Sequence, residues 1–129
     1  MKKLISLWLL IAGFIVLSAS CRQGNYQRMS VDGFENALQE KGLQLVDVRT
    51  DVEYTEGHIP GAININVMDV SFPDLAASTL SKNQPVAVYC RSGKRSKKAA
   101  EILSKAGYTV YDLDEGFNAW SKSGKETTR

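Results

Sequence analysis

The sequence predicts an α/β domain, a mainly parallel central sheet covered by helices on both faces. Short apolar runs alternate with segments of helical periodicity along most of the chain. Two of these runs, residues 43–48 and 85–89, are nearly continuous, as strands buried on both faces require. Glycines and capping residues fall between the segments, where a chain crossing back over a sheet must turn.

The first 20 residues stand apart from this pattern. Lys2 and Lys3 give a short positive start, residues 4–17 are apolar, and Ser18, Ala19 and Ser20 lead to Cys21. The arrangement resembles a bacterial lipoprotein signal, with Cys21 as the lipidated first residue of the mature chain. Ser18 departs from that pattern, which commonly has Leu there. The alternative is an uncleaved anchor, because residues 4–21 form an uncharged stretch close to the lower limit of about 17 for a spanning helix. Both readings place the domain on a membrane on its extracytoplasmic side, periplasm or cell envelope, with Lys2 and Lys3 inside.

Residues 22–28 read as a polar linker, and 29–125 as the domain. Ser30 is placed to cap a helix carrying Phe34, Ala37 and Leu38 on one face, with Gly42 beyond its end. Residues 43–48 form a strand. Thr50 and Glu53 have capping-box spacing, so a helical turn starts there. A turn over 57–61 leads into a strand over 62–67. Residues 69–84 hold a short helix with loops, around Pro73, Leu75 and Leu80. The strand over 85–89 runs into Cys90. A helix over 96–106 shows an apolar stripe of Ala99, Ile102, Leu103 and Ala106, with Gly107 as its stop. A strand over 108–113 and a helical turn over 116–121 close the domain.

The hydrophobic content of 43% is ordinary for a globular chain, although the leader inflates it. Lys and Arg number 16 and Asp and Glu 14, so removing Lys2 and Lys3 leaves a formally neutral domain. A nucleic-acid surface needs a basic excess and is not indicated. With one His and one remaining Cys, metal ligation is not indicated either, and nothing calls for a cofactor.

The chemistry concentrates after the strand over 85–89. Cys90, Arg91, Ser92, Gly93, Lys94, Arg95 and Ser96 join that strand to a helix. Gly93 permits the tight curvature that turns backbone N–H groups toward a sulfur. The helix presents its positive end to the same point. Five cationic side chains, Arg91, Lys94, Arg95, Lys97 and Lys98, and no acid fall within residues 90–98. All three terms favour a thiolate and an anionic substrate. The plain alternative, Cys90 as a small buried hydrophobe beside a solvated basic face, explains neither the Gly nor the clustered charge.

The loop resembles the active-site loop of the rhodanese-like family, Cys-Arg-x-Gly-x-Arg-Ser, at residues 90–96. Asp47-Val48-Arg49 is similar to the family's Asp-x-Arg strand end. Glu53-Tyr54 and residues 56–62, with His58, are similar to its turn into Ala-x-Asn-Ile at 62–65. Residues 114–120 resemble its closing segment, with Glu115 where Gly is common. The resemblance implies a rhodanese-like fold and a sulfurtransferase. Cys90 would take the sulfane sulfur of thiosulfate as a persulfide and pass it to a thiol or to cyanide. Arg91, Ser92, Gly93, Lys94, Arg95 and Ser96 would bind the substrate, with inward N–H groups of residues 91–95 and with Arg95, together with Lys94 or Arg91, on the oxyanion. The Ser96 hydroxyl is read first as the cap of the following helix and second as a donor to the persulfide. Asp47, Arg49 and His58 are supporting candidates, His58 mainly as a holder of backbone.

Three rivals are weighed. A phosphatase or arsenate reductase needs Arg six positions after the Cys, where Ser96 stands. A tethered, non-enzymatic persulfide relay or sulfide-binding module keeps the Cys90 chemistry without turnover. A redox role needs an intermolecular disulfide.

Overall fold

The computed structural model describes residues 25–129. The leader and Cys21, with the lipidation expected of it, lie outside the described residues. Among the described residues five strands alternate with five helices: β1 (Tyr26–Met29), α1 (Val31–Ala37), β2 (Gln44–Asp47), α2 (Asp51–Glu56), β3 (Ile63–Asn64), α3 (Phe72–Thr79), β4 (Val86–Tyr89), α4 (Lys94–Lys105), β5 (Val110–Leu113) and α5 (Gly116–Lys122). The strands form one parallel sheet in the order β1-β5-β4-β2-β3. This is the α/β architecture that the alternation of runs predicts.

Strand β4 is central and its four residues are all buried. Val86 and Val88 face one layer, with Val46, Val48, Val110 and the α3 and α4 residues Phe72, Ala76, Ala99 and Leu103. Ala87 and Tyr89 face the other, with Leu45, Leu113, Phe34 of α1 and Trp120 of α5. Alternation within a run that is apolar throughout thus fills two cores. Each large buried side chain contributes about 1.5–3 kcal/mol.

The capping signals act locally as their chemistry dictates. Ser30 Oγ accepts the Gly33 N–H at 3.2 Å. Thr50 and Glu53 form the reciprocal capping box.

Three boundaries differ from the sequence reading. Residues 26–28 belong to β1, not to a linker; β1 is an edge strand with two exposed residues, so it shows no apolar run to read. The ladder at 62–67 narrows to two residues at the opposite edge, although Ile65 and Val67 still donate to β2 and its end at 3.0 Å. Helix α4 begins at Lys94 with Gly93 as its cap, so Ser96 is inside the first turn and caps nothing. A buried hydroxyl and a capping hydroxyl look alike in sequence.

Candidate active site

Cys90 follows the carboxyl end of β4, where ligands of parallel sheets gather. Its sulfur is almost fully covered, with a relative exposure of 1% for the residue. The Gly93 N–H donates to Cys90 Sγ at 3.1 Å, and the thiol donates to Ser96 Oγ at 3.6 Å. The sequence anticipates a ring of inward N–H groups. The structure shows one bonded to the sulfur, that of Gly93.

The carbonyls of the loop's first two residues turn the other way, toward α5. Phe117 N–H donates to the Cys90 carbonyl at 2.8 Å and Asn118 N–H to the Arg91 carbonyl at 3.1 Å. These are orphan donors of a helix start, so loop and helix satisfy each other. The approach requires Gly116, whose φ is +73°. A Cβ there would run into the Arg91 carbonyl. Gly93 is tight for a similar reason, with φ at +99° and the Asp114 carbonyl in the way of any Cβ.

Lys94, Arg95, Lys97 and Lys98 occupy the first turns of α4. Cations at the positive end of a helix are locally unfavourable. Departures from local rules of this kind are expected where a site is built. Lys94 and Ser92 are exposed.

An acid that the loop itself lacks arrives from α2. Glu53 accepts from Arg95 at 2.8 and 3.0 Å and from Arg91 at 3.3 Å. The Arg95 guanidinium, followed by the Thr50 N–H and hydroxyl, holds the Glu53 carboxyl well below the usual carboxylate range. Sequence separation hid this partner. The Thr50–Glu53 spacing reveals only the carboxylate's capping role.

Asp47 and Arg49 form a buried pair on the layer opposite α4. Arg49 Nε and Nη2 both donate to the Asp47 carboxylate, and Nη2 also reaches the Gly57 carbonyl at 2.6 Å. The guanidinium carbon lies 4.4 Å from the Phe117 ring centre and 5.6 Å from that of Tyr89. The Tyr89 hydroxyl accepts the Ile59 N–H at 3.0 Å, and burial followed by Asp47 pushes the phenol well above its ordinary range. His58 stacks on Tyr54 at 3.7 Å, its Nδ1 is 2.8 Å from the Tyr54 carbonyl, and its backbone pairs with Thr128. Among the described residues, the hydrogen bonds of His58 are to backbone and its stacking is on a ring.

Two groups that sequence reading missed lie beneath the loop on the α4 side. Asp112 of β5 is fully buried, its Oδ2 on Arg28 Nε at 2.9 Å and its Oδ1 without a well-formed hydrogen bond among the described residues. Burial raises the Asp112 carboxyl, opposed by the Ser96 hydroxyl and Arg28. No motif marks either residue, because their roles come from strand register: Arg28 lies opposite Asp112 across β1 and β5.

The sequence model described as Rhodanese-like domain matches residues 30–123. The chain belongs to the rhodanese-like family. A thiosulfate sulfurtransferase of Shewanella oneidensis is 31% identical over 100 residues, covering 77% of this chain and 96% of that protein. A chloroplastic thiosulfate sulfurtransferase of Arabidopsis thaliana is 36% identical over 96 residues, covering 67% and 80%. Among solved structures, a rhodanese-like domain protein of Staphylococcus aureus superposes with a TM-score of 0.65 at 35% identity, covering 73% of this chain and 90% of that one. A rhodanese-related protein of Thermoplasma volcanium gives 0.70 at 25% identity, covering 80% and 98%. In rhodanese-like terms, the chain presents a cysteine loop closed from below by β1 and β5 and from the side by α2.

Proposed function

We propose that this chain is a sulfurtransferase in which Cys90 carries sulfur as a persulfide. The observation that carries the reading is the Cys90 sulfur itself, seated at the end of β4 under the Gly93 N–H and at the positive end of α4. The names of the relatives from Shewanella and Arabidopsis support it.

The chemistry follows from the seat. The Cys90 thiolate attacks the outer sulfur of thiosulfate, the S–S bond of the donor breaks, and sulfite leaves with the electron pair. Cys90–S–S⁻ remains. Cyanide or a thiolate then attacks the outer sulfur, taking it away and returning the Cys90 thiolate. Negative charge stays near the sulfur throughout, so an aimed N–H and a helix dipole favour the charged thiolate and persulfide, and the cycle runs without a proton shuttle. Arg95 and Arg91, once turned from Glu53, hold the oxyanion end of the donor. A lipidated Cys21 tethers this activity to a membrane on its extracytoplasmic side.

The pairing of both arginines with Glu53 favours a second reading. A small dianion must compete with a carboxylate already in place. A persulfide relay between proteins avoids that competition.

Incubation of the full-length chain with thiosulfate and cyanide separates the two. Thiocyanate production, with a gain of one sulfur on Cys90 by mass and loss of both in Cys90→Ser, is the result expected of the enzyme. A stoichiometric adduct without turnover replaces it with the relay. No adduct sinks both.

A further inference from the structure

Arg28 precedes the stretch that matches the family, residues 30–123, and stands on an edge strand with no motif of its own. Its guanidinium nonetheless makes three contacts at once. Nε donates to Asp112 Oδ2 at 2.9 Å, Nη1 pairs with Asp114 Oδ1 at 2.8 Å, and Nη2 donates to the Gly93 carbonyl at 2.8 Å.

Gly93 is the residue whose N–H rests on the Cys90 sulfur. Its carbonyl and its N–H flank one Cα, and a glycine has little intrinsic preference among backbone conformations. Something outside the residue must therefore hold the peptide in place. The carbonyl accepts the Lys97 N–H at 3.3 Å where α4 begins, and among the described residues its one side-chain donor is Arg28, at the shorter distance of 2.8 Å. Arg28 is itself fixed by Asp112, its register partner on β5, and by Asp114 at the end of that strand. A planar fork with several donors is suited to three acceptors at once.

We propose that Arg28 is a positioning residue for Cys90: it ties the Gly93 carbonyl to the β5 carboxylates, so that the Gly93 N–H stays aimed at the sulfur. The inference rests on the reading of Cys90 as the reactive group. It is tested on the thiol alone, without a sulfur donor.

The measurement is the alkylation rate of Cys90 by iodoacetamide in the full-length chain, read by peptide mass so that Cys21 is scored separately. Rates are taken from about pH 5.5 to about pH 9. Arg28→Ala should slow alkylation near neutral pH by about tenfold, with the profile displaced toward alkaline pH. Arg28→Ala also leaves Asp112 buried without its cation, which can unfold the chain. The double variant Arg28→Ala with Asp112→Asn carries no such charge yet still lacks the tie, and it should be slowed as much.

Wild-type rates in the folded double variant, across the whole pH range, would overturn the proposal and leave Arg28 a structural ion pair. A wild-type chain that makes no thiocyanate counts against the sulfurtransferase reading alone, because alkylation requires no donor.

Discussion

Glu53 holds Arg95 through two near-parallel hydrogen bonds of 2.8 and 3.0 Å, across 42 residues of sequence. The same carboxylate caps α2 through Thr50. A helix cap and the two arginines of the cysteine loop therefore share one acid, and the charge that the loop advertises is partly spent inside the fold.

Releasing Arg95 should strengthen donor binding. Glu53→Gln keeps the shape of the side chain and removes its charge. The KM for thiosulfate should fall by about threefold or more, and the gain should shrink as salt is added. Steady-state thiocyanate assays at two ionic strengths check this. An unchanged KM would mean that Arg95 does not hold the donor.

The same pair predicts a pH dependence of stability. The folded-state pKa of Glu53 is depressed, Arg95 being the largest cause. Its contribution is therefore complete above the unfolded value of about 4.3 and is lost as pH falls below it toward the folded pKa. Urea midpoints measured from about pH 6 down to about pH 3 should drop more steeply for wild type than for Glu53→Gln. Parallel curves would show that the pair adds no stability.

Gly93 and Gly116 should be the least replaceable glycines. Alanine at either meets backbone, the Asp114 carbonyl for Gly93 and the Arg91 peptide for Gly116, in addition to left-handed strain. Each substitution should cost about 2 kcal/mol or more and reduce turnover. Gly61→Ala is the control. Its φ is +86° but no atom lies within 4 Å of the added Cβ, so about 1 kcal/mol and full activity are expected. Thermal unfolding with parallel thiocyanate assays separates the cases, and an active, stable Gly116→Ala would refute the close fit.

Asp47→Ala should be severe for a different reason. It leaves the Arg49 guanidinium buried with only the Gly57 carbonyl and two ring faces. The expected loss is about 3–5 kcal/mol by denaturant titration. A loss below about 1 kcal/mol would indicate that water reaches Arg49.

His58→Asn should leave the pH profile of turnover unchanged while lowering stability by about 1 kcal/mol, since the ring's hydrogen bond and its stacking are both to Tyr54. A profile that loses a limb near neutral pH would instead make His58 a proton carrier.

The sequence by itself determined the fold class and the chemical character of the loop. Both are local. Continuous apolar runs can be satisfied only by a sheet covered on both faces, and residues 90–96 bring a thiol, a permissive glycine and cations together simply by adjacency. The Ser30 and Thr50–Glu53 caps were legible for the same reason, each acting within one helical turn. Tertiary structure alone decided the rest. It brought Glu53 to Arg95 and Arg91, sank Ser96 beside the sulfur instead of leaving it as a cap, and turned a polar segment into the strand that carries Arg28 under Gly93. These choices depend on which strands are neighbours, and β1 lies beside β5, the last strand in the chain. A polar edge strand has no periodicity to announce it, and an ion pair between distant residues leaves no trace in spacing. Register across the sheet is what gives Arg28 and Asp112 their roles.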